Sequence, residues 1–150
     1  MQINVLAAAR RIEGQVLRTP LIEARIAGQR VWLKCECLQI GGAFKLRGAT
    51  NRLMAMDAEE RARGVVAFSS GNHAQGVAIA ARRLGMRATI VMPADAPQLK
   101  IDGTRAQGAE IVFYDRRTES REAISAAIAA RTGATAVWSR SSTNPTSVSP

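Results

Sequence analysis

The chain has 150 residues, 47% of them hydrophobic, with a formal charge of +9 and aromatics at only 4%. That apolar content suffices for one globular domain and excludes a disordered chain. No apolar run reaches the ~18 residues of a membrane span, and Arg10, Arg11 and Glu13 interrupt the N-terminal stretch in a way a signal peptide does not, so a reducing, cytoplasmic setting is expected.

Residues 3–17 carry Val5, Ile12 and Val16 on one stripe and predict a helix stopped by Thr19-Pro20. Residues 31–37, "VWLKCEC", alternate like a strand. Cys35 and Cys37 would then share a face as buried thiols, too close in sequence for a disulfide staple. Cys-x-Cys with His73 as the sole histidine is two ligands short of a zinc site, so no metal is expected. Gly41-Gly42 breaks the chain, and 44–57 predicts a helix. A regular alternation follows: strand 65–69, helix 72–84, strand 88–92, helix 97–107, strand 110–114, helix 118–131. Short apolar strands alternating with helices imply an α/β fold, a parallel sheet with helices on both faces. Residues 139–150 hold five Ser, two Thr and two Pro and predict disorder.

Two motifs carry the chemistry. "GGAFKLRGATN", residues 41–51, is a glycine-rich turn that delivers Phe44 and Lys45 to a helix N-terminus. The helix dipole and Arg47 both disfavour an ammonium there, and a neutral lysine can attack an aldehyde. An adjacent phenyl ring can pack on an aromatic cofactor. A lysine at the start of a surface helix is the plainer reading of the same spacing. "SSGNHAQG", residues 69–76, leaves a strand and opens a helix, where outward N–H groups attract a carboxylate or phosphate. Gly71 suits a tight turn, and Ser69, Ser70 and Asn72 offer side-chain hydrogen bonds. A plain N-cap by Asn72, with His73 a bystander, fits equally well. The motif is neither GxGxxG nor a Walker loop, so dinucleotide and ATP readings fail.

Together, "ECLQIGGAFKLRGATN", "SSGNHAQGVAIAARRLG" and "VMPADAPQLK…GAEIV", with "RTPL" at 18–21, resemble the serine/threonine dehydratase and serine racemase family, from about Ile12 to Ala136. These are pyridoxal 5'-phosphate (PLP) enzymes of the tryptophan-synthase-β fold type. The resemblance implies that Lys45 condenses with the cofactor aldehyde and later shuttles the Cα proton. It places Phe44 against the cofactor ring and Asn72 on the 3-hydroxyl. It assigns the substrate carboxylate to Ser69, Ser70, Gly71, Asn72 and His73. Ser70 stands where racemizing members hold an acid/base opposite the lysine, which keeps racemase and 3-hydroxyaspartate dehydratase activities open. Ala43 departs from the Ser that many members carry before Phe-Lys. The implied reaction is β-elimination of a small hydroxy-amino acid, L-threonine or L-serine, to a keto acid and ammonia. Homo-oligomers are common in the family.

Family chains run about twice this length, and their phosphate-binding glycine loop lies in the half that has no counterpart here. They continue with a segment resembling "VxPFDxPxVIAGQGT", where this chain reads "AVWSRSSTNPTSVSP". A one-base shift at Trp138 permits Val, Pro, an apolar residue, Phe and Asp in turn. Residues 1–137 are therefore expected to be a truncated N-terminal part of the dehydratase domain, and 138–150 an out-of-frame tail. Weak PLP retention follows from that expectation, and a non-catalytic remnant is the competing reading. A basic nucleic-acid-binding module is a third. Eighteen of the 21 basic residues are Arg, spread along the chain without stacking aromatics, which argues against nucleic acid as a partner.

Overall fold

The structure, a computed structural model, describes residues 4–137. The expectations for 138–150, disorder and a shifted frame, lie outside the described residues. Within the described residues, six α-helices and six strands follow in order: α1 (Val5–Arg11), β1 (Leu21–Ile26), β2 (Gln29–Lys34), α2 (Lys45–Met54), α3 (Ala58–Arg63), β3 (Val65–Phe68), α4 (Asn72–Arg83), β4 (Ala88–Pro93), α5 (Gln98–Arg105), β5 (Glu110–Tyr114), α6 (Arg121–Thr132) and β6 (Thr135–Ala136).

The sheet is parallel, in the order β5-β4-β3-β6. The four residues of β3 are all buried, as a strand covered on both faces requires. Val65 and Ala67 face a core built with Leu46, Leu53, Ala74, Val77, Ile90 and Met92, from α2, α4 and β4. Val66 and Phe68 point the other way, to Val91, Tyr114 and Ile128 of α6. Helices thus cover both faces: α4 and α5 on one, α6 on the other, with α2 stacked on α4.

Four local expectations need correction. The N-terminal helix ends at Arg11 rather than 17, and turns that include Gly14 at φ 73° follow it. The strand expected at 31–37 spans 29–34 and is half of an antiparallel hairpin with β1, which the sequence reading missed. Its two-residue turn, Ala27-Gly28, holds φ of 48° and 79°, the primed geometry that suits strand twist. Cys35 and Cys37 therefore lie beyond the strand, in and beside a 3₁₀ segment at Glu36–Leu38. Cys35 is half-buried and Cys37 exposed, so they are not a buried pair. The helix expected at 44–57 stops at Met54, and Asp57 and Glu60 form a reciprocal capping box that starts α3.

Candidate active site

Lys45 is the first residue of α2. Gly41 and Gly42, at φ of 77° and 69°, turn the chain into it. That φ strains any side chain at Gly41, whose Cβ would also meet the flexible end of Ile79 on α4 at 2.5 Å. Phe44, 57% exposed, lies beside the amine, with Lys45 Nζ 5.1 Å from the ring centroid.

Both side chains open onto a cleft of about 370 Å³, which His73 and Val137 also line. The cleft sits at the carboxyl ends of β3 and β6. These two strands are neighbours, yet α4 leaves β3 on one face of the sheet while α6 enters β6 on the other. Such a switch point opens a crevice where α/β sheets bind ligands.

His73 is half-buried, and its Nε2 lies 3.4 Å from the Val137 carbonyl oxygen. A carbonyl only accepts, so Nε2 carries the hydrogen and Nδ1 is the acceptor. Burial holds the imidazole below its ordinary 6.5. The Val137 bond opposes that shift, and the charge of Lys45 reinforces it. His73 is thus neutral at pH 7.

The junction between β3 and α4 departs from its expected form. Gly71, not Asn72, is the N-cap of α4, and no side chain caps the helix. Gly71 has φ −135°, and a Cβ on it would meet open space, so neither a turn nor packing demands glycine here. Ser69 Oγ accepts from the Gly71 N–H at 3.2 Å, and Ser70 is half-buried. The first turn of α4 contains no acid. Its leading N–H groups are a ready anion site.

Arg47 lines the same cleft as Lys45, but its charge is engaged by an acid. Its guanidinium forks onto Glu36, Nε to Oε2 at 2.9 Å and Nη2 to Oε1 at 2.7 Å. Thr19 Oγ1 donates to the same carboxylate at 2.6 Å, and Arg47 Nη2 also reaches the Leu17 carbonyl at 2.9 Å. Buried Gln39 accepts from Leu17 N–H and donates back to its carbonyl, both at 2.9 Å. The "RTPL" and "ECLQ" motifs therefore brace the lysine helix. The sequence reading saw those motifs only as family markers and gave none of their residues a place around the site.

Phe44, Lys45 and His73 share one cleft. Ser69, Ser70, Gly71 and Asn72 lead into His73 but are not among its wall residues. An amine, an exposed phenyl ring and an uncapped helix N-terminus fit an anionic aromatic aldehyde. Sequence reasoning missed Gly76 and Lys100. A Cβ on Gly76 would stand 3.2 Å from the Lys45 carbonyl carbon. Lys100 Nζ donates to Asn72 Oδ1 at 2.9 Å.

Comparison with known proteins shows the family. The sequence profile of a family described as pyridoxal-phosphate dependent enzyme matches residues 12–149. An L-threo-3-hydroxyaspartate ammonia-lyase from a Pseudomonas species is 53% identical over 138 residues, 89% of this chain and 43% of that protein. A serine racemase from Oryza sativa subsp. indica is 42% identical, over 87% of this chain and 40% of the relative. Among solved structures, maize serine racemase superposes with a TM-score of 0.84 at 41% identity, covering 89% of this chain and 42% of that one. The serine racemase of Dictyostelium discoideum gives 0.83 at 32% identity, over 89% and 45%. The chain thus spans less than half the length of these relatives. With Lys45 at the sheet's switch point and the profile running along most of the sequence, the chain belongs to the pyridoxal-phosphate dependent enzyme family.

Proposed function

We propose that this chain supplies the lysine-bearing part of an ammonia-lyase site that eliminates the β-hydroxyl of a small 3-hydroxy amino acid. The juxtaposition of Lys45 and His73 in one cleft at the carboxyl ends of β3 and β6 carries the reading. Bound PLP supplies an electron sink that lowers the cost of breaking the Cα–H bond. Lys45 Nζ holds the cofactor and then takes the Cα proton. Phe44 would pack on the cofactor ring, and the side-chain donors of Asn72 would hold its 3-oxygen. The N–H groups at the start of α4, with the hydroxyls of Ser69 and Ser70, grip the substrate carboxylate. A neutral His73 adds no further cation to a cleft that Lys45, Arg47 and Arg52 already line. The substrate class is L-threo-3-hydroxyaspartate, L-serine or L-threonine, in line with the relatives' names.

A racemase is the second reading, favoured by the Ser70 hydroxyl at the β3–α4 junction. There it would return a proton to Cα from the face opposite Lys45. Keto acid formation against D-serine formation separates the two readings.

The chain has three lysines, Lys34, Lys45 and Lys100, so cofactor capture is readable by site. PLP addition, borohydride reduction and peptide mass mapping should place the label on Lys45, and Lys45→Ala should lose it. Equal labelling of Lys34 and Lys100 would overturn the proposal.

A further inference from the structure

We infer that Lys100 is a positioning residue of the anion corner: its ammonium pins the Asn72 amide oxygen and so fixes which end of this side chain is the donor. An ammonium has no acceptor, so the atom 2.9 Å from Lys100 Nζ must be the amide oxygen. The Nδ2 hydrogens are left unengaged by Lys100 and can donate to a ligand that accepts. The same ammonium donates to Gln75 Oε1 at 3.3 Å. Asn72 and Gln75 are three apart on one face of α4, and Lys100 and Gly103 are three apart on one face of α5. Gly103 has no side chain where the Gln75 amide lies, since a Cβ there would overlap Gln75 Nε2. Two helices thus interlock to hold one cation and two amide oxygens.

The arrangement favours an anion. A cation at a helix N-terminus opposes the dipole, and the first turn of α4 has no acid to offset it. Both partners of Lys100 are neutral amides, and the ion pairs among the described residues do not include it. An oxyanion at Asn72 offsets that opposition. An ionised oxygen, such as the deprotonated 3-hydroxyl of PLP, matches this corner better than a neutral hydroxyl does. What the corner binds rests on the cofactor reading above; how the amide is held does not.

Two variants of the full chain test this, Lys100→Met and Lys100→Arg. The first readout needs no cofactor: the Asn72 side-chain amide pair in ¹⁵N–¹H spectra. It should move in Lys100→Met and stay near its wild-type position in Lys100→Arg. An unmoved pair in Lys100→Met overturns the inference. The second readout is borohydride-trapped PLP at Lys45 across pH. Lys100→Met should need about tenfold more PLP for equal trapping, the worth of one charge-assisted hydrogen bond. Its bound chromophore should deprotonate at higher pH, and Lys100→Arg should restore both. Wild-type-like capture and pH midpoint in Lys100→Met sink the positioning role while leaving the cofactor reading intact. No label on Lys45 in the wild type sinks the cofactor reading, and the amide spectra still decide how Asn72 is held.

Discussion

Gly76 on α4 rests against the peptide backbone of Lys45: a Cβ there would stand 3.2 Å from both the Lys45 carbonyl carbon and the Leu46 nitrogen. Close approach of α4 to α2 sets where the lysine-bearing turn lies relative to His73, one turn back on α4. Leu46, 1% exposed, fills the core immediately behind this contact, so α2 has little room to retreat.

Gly76→Ala is expected to destabilise the chain. Alanine gains about 1 kcal/mol of helix propensity, but overpacking against backbone costs ~1–3 kcal/mol. The net loss should be about 1 kcal/mol, read as a lower urea midpoint. Trapping of PLP at Lys45 should fall with it at denaturant-free pH 7. A raised midpoint would mean that α2 yields freely and that its position is not set by this glycine.

Glu36 makes acid stability a second test. The fork from Arg47, with help from Thr19 and the nearby charges of Arg47 and Lys34, holds its carboxyl at about 2 rather than an ordinary 4.5, despite opposition from burial. A carboxyl depressed in the folded state binds its proton less readily there than in the unfolded chain. Its contribution is present above 4.5 and is lost as pH falls toward 2. Both partners keep contact with water, the side chains being 17% and 30% exposed, so the worth is about 1 kcal/mol. Glu36→Gln should lower the urea midpoint at pH 7 and flatten its fall between pH 4.5 and 2. Glu122, held low by Arg121, contributes with the same sign and remains in both proteins. Identical slopes in the two proteins would remove Glu36 from the account.

The sole histidine gives a direct measure of the site. The imidazole Hε1 resonance of His73 should titrate below 6.5, because burial disfavours its charged form. Lys45→Ala should move the midpoint up by removing the neighbouring charge. The unfolded chain takes up this proton more readily than the folded one, so the His73 contribution to stability is present above 6.5 and is lost as pH falls below it. A midpoint indifferent to Lys45→Ala would place the amine away from the ring.

Much of this was legible in the sequence, for identifiable reasons. Strands such as Val65–Phe68 and Glu110–Tyr114 are short apolar runs bounded by helices, and they lie within a residue of where the pattern put them. The β1–β2 hairpin was not legible. Its burial is mostly exposed on both strands, so no alternation marks β1, and its turn is Ala-Gly rather than Asn-Gly. The lysine and the "SSGNH" corner could be picked out as motifs. The meeting of Lys45 and His73 in one cleft depended on Gly76 and on the return of β6 to the side of β3, neither of which has a local signature. The ion pair of Arg47 was not legible, because sequence proximity to Lys45 says nothing of Glu36, eleven residues earlier, which engages its charge.

Ser125 gives the last prediction. It lies in α6 at 0% exposure, and its hydroxyl oxygen has no hydrogen-bond partner among the described residues. Thr104, buried to the same degree in α5, donates instead to the Lys100 carbonyl at 2.8 Å. A buried hydroxyl without a partner carries a desolvation cost of about 1–3 kcal/mol, whereas a made bond contributes about 1 kcal/mol. Ser125→Ala removes the cost and also favours the helix, so it should raise the urea midpoint by an equivalent of about 1 kcal/mol. Thr104→Val should go the other way by a similar amount, because it deletes a bond that exists and introduces a second branched methyl in its place. Equal effects of the two changes would show that burial alone, and not hydrogen-bond satisfaction, decides what a hydroxyl is worth on either face of this sheet.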